Sequence, residues 1–291
     1  MNQPAHNPWT HQVLRVLARL PLGWFRSAGW LLGIALYGLA TRRRRVVERN
    51  LRHCFPEQPQ HWHRSVARMV FVRFAQSWLD RLWLWHGDEA VLRARLHWQI
   101  SDTAWDRATV LFAPHCMGVD AGWTALTLLH NQPMVTLFAA TSSPRQDRWI
   151  AKGRSRFAPQ GLLPRVGSAS TAVRALRAGK SLYLLPDMDL GARDAVFVPF
   201  MGQSAATVTA LPRFANLGRA PVRTVFTCMT AWGYTTEVGE PWGNYPSGDD
   251  VADATQMNAR LETWVRTHPD QYYWVHRRFK TQQPGATDIY A

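Results

Sequence analysis

Two polar side chains near the middle of the sequence have the types and spacing for proton transfer. His115 and Asp120 lie in the stretch APHCMGVD. A carboxylate that accepts from one imidazole nitrogen fixes the tautomer and leaves the other nitrogen free as a general base. Residues five apart in one straight helix are rotated by about 140° and do not face each other. We therefore expect His115 in a loop, folded back onto Asp120 in the first turn of the next helix.

The surrounding sequence predicts the elements that would position this pair. Apolar runs at 108–113, 134–140, 181–185 and 222–229 are typical of buried strands, and helical patterns fall near 119–130, 145–157, 169–178, 205–217 and 251–267. A longer amphipathic helix is predicted over 61–85. This alternation indicates an α/β fold with a central, largely parallel sheet covered by helices. Ligands of such sheets collect outside the carboxyl ends of strands, and the first of these strands ends at His115.

Charge and composition narrow the function classes. The chain has 291 residues, a net charge of +14 and 15 Trp, so its surface should attract phosphates, anionic lipid head groups or acidic proteins. Its three cysteines are widely spaced, which argues against a disulfide framework and for a reducing compartment. A non-enzymatic, basic membrane-binding or nucleic-acid-binding protein with a structural His115 stays open as an alternative. No recognised nucleic-acid module supports a nucleic-acid partner.

The N-terminal segment, residues 1–45, is predicted to be helical and membrane-associated, ahead of a catalytic domain over 46–291. The uncharged run at 28–40 has 13 residues, too few to cross a bilayer unaided. Three alternatives fit it: a short or tilted span, an interfacial helix pair, and a buried core helix. If the segment spans the membrane, the basic cluster at 42–45 should keep the catalytic domain on the cytoplasmic side.

Further charged residues are candidates for substrate binding. Arg154, Arg156 and Arg165 could clamp a phosphate or stabilise an oxyanion, or they could form a solvated helix face. Asp187 and Asp189 follow a second predicted strand and could bind polar groups of an acceptor or brace their loop. No His or Cys lies near these two carboxylates in sequence, so no metal is expected.

Several blocks of the sequence, taken together, resemble one known family. APHCMGVD resembles the motif of the lysophospholipid acyltransferase superfamily, in which four residues separate a His from an Asp or Glu. Four further blocks resemble, in order, those of the bacterial lipid A biosynthesis late acyltransferases: NLRHCFPE (50–57), GRSR (153–156), LLPDMDLGARDAVFVPFMG (184–202) and QYYWVHRRFKTQQPG (271–285). The resemblance runs from about residue 45 to the C-terminus.

This resemblance implies a function at the bacterial inner membrane. It implies transfer of a fatty acyl chain from acyl carrier protein to a hydroxyl of a lipid A precursor, without metal or organic cofactor. His115 would be the base and Asp120 its orienting partner. A lysophospholipid or another glycolipid is the alternative acceptor. Many members carry Glu at the position of Asp120 and a second aromatic residue at that of Met201, which leaves the acceptor and the acyl chain length open.

Overall fold

The computed structural model describes residues 8–101, 105, 107–130, 132–141 and 143–291, with side chains described from residue 12. It confirms the α/β class. The strands are β1 (Leu96–Ile100), β2 (Val110–Phe112), β3 (Met134–Phe138), β4 (Leu162–Pro164), β5 (Ser181–Leu184), β6 (Ala195–Phe200), β7 (Gln203–Val208), β8 (Val222–Thr230) and β9 (Gly233–Val238). Seven of them form one sheet in the order β1-β9-β8-β2-β5-β3-β4. Strands β8, β2, β5, β3 and β4 are parallel, and β9 runs antiparallel to β8 with β1 alongside it.

Helices cover both faces of this sheet. They are α1 (Pro8–Ala18), α2 (Leu22–Leu39), α3 (Thr41–Cys54), α4 (Gln60–His86), α5 (Glu89–Arg95), α6 (Val119–Leu128), α7 (Pro144–Arg154), α8 (Ala169–Arg177), α9 (Ala210–Gly218) and α10 (Asp250–Thr267). Alternate residues of a strand point to opposite faces. Leu111 and Tyr183 accordingly pack in the cluster that contains α6, whereas Phe112 and Leu184 pack with α8, α9 and α10. Strands β2 and β5 are therefore buried on both faces, as the sequence predicts.

The helix predicted over 205–217 is wrong in its first part. Residues 203–208 form β7, which pairs antiparallel with β6 across a tight turn. Met201 and Gly202 occupy the two central positions of that turn with positive φ angles of 55° and 74°. Such a turn matches the twist of two paired strands. The alanines at 205 and 206 favour a helix locally, but pairing with β6 overrides that preference.

Helix α2 contains the apolar run at 28–40 and lies along α4. Gly29 and Gly33 allow this close approach, because a Cβ atom at Gly33 would be only 2.4 Å from the Cα of Val72. At the start of the helix, Arg26 Nη1 donates to the fully buried carboxylate of Asp80 at 2.5 Å. These contacts hold α2 against the rest of the fold.

The opposite face of α2 exposes its large apolar side chains to solvent. They are Trp24, Trp30, Leu31, Leu32 and Leu39. No helix in the described ranges is both long enough and apolar enough to cross a membrane. The domain boundary predicted after residue 45 falls inside α3, and residues 1–7 of the predicted N-terminal segment lie outside the described residues. The membrane anchor and the division at residue 45 stay predictions.

Candidate active site

His115 lies where the sequence places it, in the loop between β2 and α6. Its imidazole partner is Asp187, in the loop after β5. His115 Nδ1 is 2.8 Å from Asp187 Oδ1, and the His115 backbone N–H donates to Oδ1 and Oδ2 of the same carboxylate at 3.0 and 3.1 Å. The two loops meet because β2 and β5 are parallel neighbours, with Phe112 paired to Leu184. Residues 72 positions apart in sequence thereby become hydrogen-bonded partners.

The Asp187 carboxylate determines which nitrogen of the neutral His115 imidazole carries the proton. The Asp187 side chain is only 1% exposed, and that of His115 is 27% exposed. Burial alone would raise the pKa of Asp187, but the attraction and hydrogen bonds of His115 outweigh it and hold the pKa below its usual value. A carboxylate can only accept, so Nδ1 of the neutral ring carries the proton. Nε2 bonds to no described protein atom, and His115 lines a cavity. The lone pair of Nε2 is therefore available to a ligand.

The expectation that Asp120 orients His115 is corrected by this geometry. Asp120 does lie in the first turn of α6, but its Oδ2 accepts from Arg81 Nε at 2.7 Å and its Oδ1 from Arg154 Nε at 2.6 Å. Within the described part of the chain, no hydrogen bond joins it to His115. Burial acts to raise the pKa of Asp120, but Arg154 and Arg81 lower it to about 2. Two guanidinium groups satisfy a buried carboxylate better than one neutral imidazole, which explains the difference.

The three predicted arginines have different places. Arg154, at the end of α7, lines the cavity beside Asp120. Arg165 follows β4 and lines the same cavity with an exposed side chain. Arg156 instead donates to the carbonyl oxygens of Leu84 and Gly87 at the C-terminal end of α4 and does not line this cavity. These bonds cap α4, which suits a cation at the negative end of a helix, and the substrate-binding role of Arg156 stays a prediction.

Asp189 braces a loop. Its carboxylate accepts from the backbone N–H and the hydroxyl of Thr281 at 2.6 and 2.7 Å and from the backbone N–H of Gly191 at 3.0 Å. Its own backbone N–H donates to His276 Nε2 at 3.0 Å. Of the two roles open to Asp189 from sequence, these bonds support bracing of the loop that carries Asp187.

The cavity that connects these residues has a volume of about 520 Å³, within the usual range of small-molecule sites. Most of its wall is apolar, contributed by α4, α6 and the strand ends. The polar part is concentrated around His115, Asp120 and the arginines. An apolar chamber with a few convergent polar groups suits an amphiphilic ligand. Among the residues that the structure describes, no three His, Cys, Asp or Glu side chains are arranged to hold a metal ion.

The sequence analysis did not single out Arg81 and Tyr273, which also line this cavity. Arg81 belongs to α4, and its position among the tryptophans of that helix was the only signal in the sequence. Tyr273 belongs to the C-terminal block QYYW, and its backbone N–H donates to the His115 carbonyl oxygen at 3.0 Å.

Cys116, next to His115 in the sequence, is buried, and its thiol donates to the Thr227 carbonyl oxygen. Burial raises the pKa of Cys116 to about 12, which argues against a thiolate nucleophile.

Comparisons with known proteins agree with the resemblance drawn from the sequence blocks. The sequence profile described as Bacterial lipid A biosynthesis acyltransferase matches residues 9–281. A Lipid A biosynthesis acyltransferase of Haemophilus influenzae is 28% identical over 95% of this chain and 88% of its own length. The Lipid A biosynthesis myristoyltransferase of Escherichia coli is 28% identical over 94% of this chain and 83% of its own length. The Lipid A biosynthesis lauroyltransferase of Escherichia coli is 27% identical over 96% of this chain and 92% of its own length. The chain therefore belongs to the bacterial lipid A biosynthesis acyltransferases.

Proposed function

We propose that this enzyme transfers a fatty acyl chain from an acyl carrier protein thioester to a hydroxyl of a lipid A precursor. The relatives named myristoyl- and lauroyltransferases of lipid A biosynthesis support the acceptor and the acyl nature of the transferred group. The resemblance of the sequence blocks supports the carrier-bound donor. The largely apolar cavity beside His115 supports a long-chain ligand.

His115 is the general base in this proposal, and Asp187 orients it. The observation that carries the assignment is the 2.8 Å contact between His115 Nδ1 and Asp187 Oδ1, with Nε2 left for the cavity. Nε2 takes the proton of the acceptor hydroxyl as its oxygen attacks the thioester carbonyl carbon. The tetrahedral intermediate then collapses, the carbon–sulfur bond breaks, and the imidazolium returns the proton to the leaving thiolate. A base placed in this way contributes about 10²- to 10⁴-fold in rate.

Asp120 acts through the arginines that it holds. By fixing Arg154 from one side and Arg81 from the other, it keeps two guanidinium groups on the cavity wall. Arg154 supplies positive charge for anionic oxygens of substrate or intermediate, and the exposed Arg165 contributes at the rim. In this proposal Asp187 and Asp120 are positioning residues, each for a different partner.

The outer face of α2 holds the enzyme at the inner membrane in this proposal, with the catalytic domain on the cytoplasmic side. Support comes from the exposed tryptophans and leucines of α2 and from Arg42, Arg43 and Arg45, which are exposed at the start of α3. Trp and Arg beside apolar side chains suit the boundary between lipid and water. Because its other face packs on α4, α2 lies in the interface plane.

Co-sedimentation with anionic phospholipid vesicles tests this orientation. Leu31→Gln with Leu32→Gln should lower vesicle binding, because about 50 Å² or more of apolar surface per residue is then lost from the contact. Leu217→Gln, at a similarly exposed leucine of α9, is the matched control and should bind as the wild type does. Equal binding by all three proteins would contradict the α2 assignment.

The function itself is tested by reconstitution. Purified enzyme receives acyl carrier protein loaded with a defined chain and, separately, a lipid A precursor, a lysophospholipid and a second glycolipid. Mass spectrometry should show addition of one acyl chain to the lipid A precursor. Transfer only to another acceptor would contradict the proposed acceptor, and no transfer to any acceptor would favour a binding protein over an enzyme of this specificity.

A further inference from the structure

Arg81 presents a second guanidinium to the cavity from α4. Its Nε is bonded to Asp120, its side chain is 13% exposed, and its guanidinium carbon lies 3.8 Å from the centre of the Trp78 ring. A guanidinium bonded on one edge and stacked on an aromatic face has little rotational freedom. Arg81 is therefore held rigidly at the cavity wall.

One terminal nitrogen of the Arg81 guanidinium has no acceptor among the residues that the structure describes. Nη1 is enclosed, and it bonds to no atom of the described residues. A buried donor without an acceptor is costly, and a ligand oxygen would remove that cost. The charge is also unbalanced, because Asp120 is one carboxylate between two guanidinium groups. One net positive charge is left at this point of a largely apolar cavity.

We propose that Arg81, together with Arg154, forms a phosphate-binding subsite for an amphiphile whose alkyl or acyl chain lies in the cavity. Guanidinium groups bind phosphate oxygens through paired, charge-assisted hydrogen bonds. The positive charge is present in the resting protein, so it suits an anion that the ligand carries before reaction. The phosphate belongs either to the lipid acceptor or to the prosthetic arm of the carrier protein, an assignment that rests on the proposed function.

Calorimetric titration with n-octyl phosphate tests the subsite without requiring turnover. The full chain is held in uncharged detergent micelles, the heat of empty micelles is subtracted, and n-octanol serves as the uncharged ligand. Arg81→Met should weaken octyl phosphate binding by about 10- to 100-fold and change octanol binding by less than about threefold. Undiminished octyl phosphate binding, or equal loss of both ligands, would overturn the proposal.

Two further variants separate binding from folding. Arg73→Met removes an arginine about two turns away on α4 that pairs with Asp270 and does not line the cavity, so it should bind octyl phosphate as the wild type does. Arg81→Lys keeps the positive charge but loses the paired N–H donors of the guanidinium, so it should weaken octyl phosphate binding severalfold. If Arg81→Met does not fold, Arg81→Lys decides, and wild-type affinity in that folded variant overturns the proposal.

Kinetics identify the source of the phosphate. Wild type and Arg81→Met are compared with an acceptor that has or lacks its phosphates, and with the donor supplied as acyl carrier protein or as phosphate-free acyl pantetheine. The effect of Arg81→Met on KM should disappear for the one substrate whose phosphate has been removed. An equal effect with every substrate would contradict the subsite. Absence of product from the wild type would contradict the proposed function and leave the octyl phosphate result standing.

Discussion

Replacing Asp187 by Asn separates its role from that of Asp120. The Asp187 carboxylate accepts from His115 three times, through Nδ1 at 2.8 Å and through the backbone N–H at 3.0 and 3.1 Å. An Asn side chain has one oxygen and one NH₂ group in the same positions. If the oxygen faces the imidazole, the side-chain NH₂ group faces the backbone N–H of His115, and two donors then meet without an acceptor. If the oxygen turns to the backbone, the NH₂ group donates to Nδ1 and moves the ring proton to Nε2.

Either orientation impairs the base. A proton on Nε2 blocks uptake of the acceptor proton, and an opposed N–H pair shifts the loop. Because a positioned base contributes about 10²- to 10⁴-fold, Asp187→Asn should lower kcat by a factor in that range, about 3 to 5 kcal/mol of barrier. KM should change by less than about threefold, because the cavity wall keeps its arginines.

Initial rates at saturating donor and acceptor measure this effect. Thermal melting and the far-UV circular dichroism spectrum show whether the variant is folded. Asp120→Asn serves as the comparison, because it keeps the bond between His115 and Asp187. A folded Asp187→Asn enzyme that retains wild-type kcat would refute the orienting role of Asp187.

Three further changes probe the surrounding structure. Asp120→Asn leaves two guanidinium groups at a buried site and should destabilise the fold by about 3 to 5 kcal/mol in chemical unfolding, with a raised KM. His276→Gln should remove a pH dependence of stability, because burial lowers the pKa of His276 from 6.5 to about 4. The unfolded state takes up the proton first as pH falls below 6.5, so the contribution of His276 to the free energy of unfolding is full above that pH and is lost below it. In unfolding experiments the wild type should lose about 2 kcal/mol from this source between pH 7 and 5. Gly33→Ala places a Cβ 2.4 Å from Val72 Cα and should cost about 1 to 3 kcal/mol, measured by thermal melting.

Matched controls exist for two of these changes. His97 is exposed on β1, so His97→Gln should keep the wild-type dependence of stability on pH. Gly38 is exposed on α2 and a Cβ there would meet nothing within 4 Å, so Gly38→Ala should be neutral or should stabilise the helix. A Gly33→Ala protein as stable as Gly38→Ala would contradict the close packing of α2 on α4. An unchanged pH dependence in His276→Gln would contradict the assignment to His276.

The sequence allowed prediction of the four central strands because each is a short run dominated by apolar and β-branched residues. It also placed His115 at a strand end and Asp120 in a first helical turn, since both positions follow from local patterns. Such local patterns could not identify Asp187 as the hydrogen-bond partner of His115. Asp187 was identified at another strand end, but only the order of strands makes β5 the neighbour of β2.

Long-range packing also explains the contacts of Arg81 and Arg156, which the sequence did not predict. Arg81 meets Asp120 because α4 crosses the edge of the active site, and nothing near either residue in sequence encodes that crossing. The helix predicted over residues 205–208 has a local explanation: the alanines there have high helix propensity, but Ala205 and Ala206 pair with Val198 and Phe197 of β6 across the turn. The contact of Arg156 with the end of α4 likewise joins residues 69 positions apart, so the GRSR block alone could not predict it.

His115→Ala tests the central claim most directly. Thermal melting first shows that the variant is folded like the wild type. Both proteins then receive the same acyl carrier protein donor and lipid A precursor, and mass spectrometry follows over time the precursor that has gained one acyl chain. We expect the wild type to add one acyl chain and His115→Ala to form the product at least about 100-fold more slowly. Equal rates of product formation by the two proteins would contradict this claim.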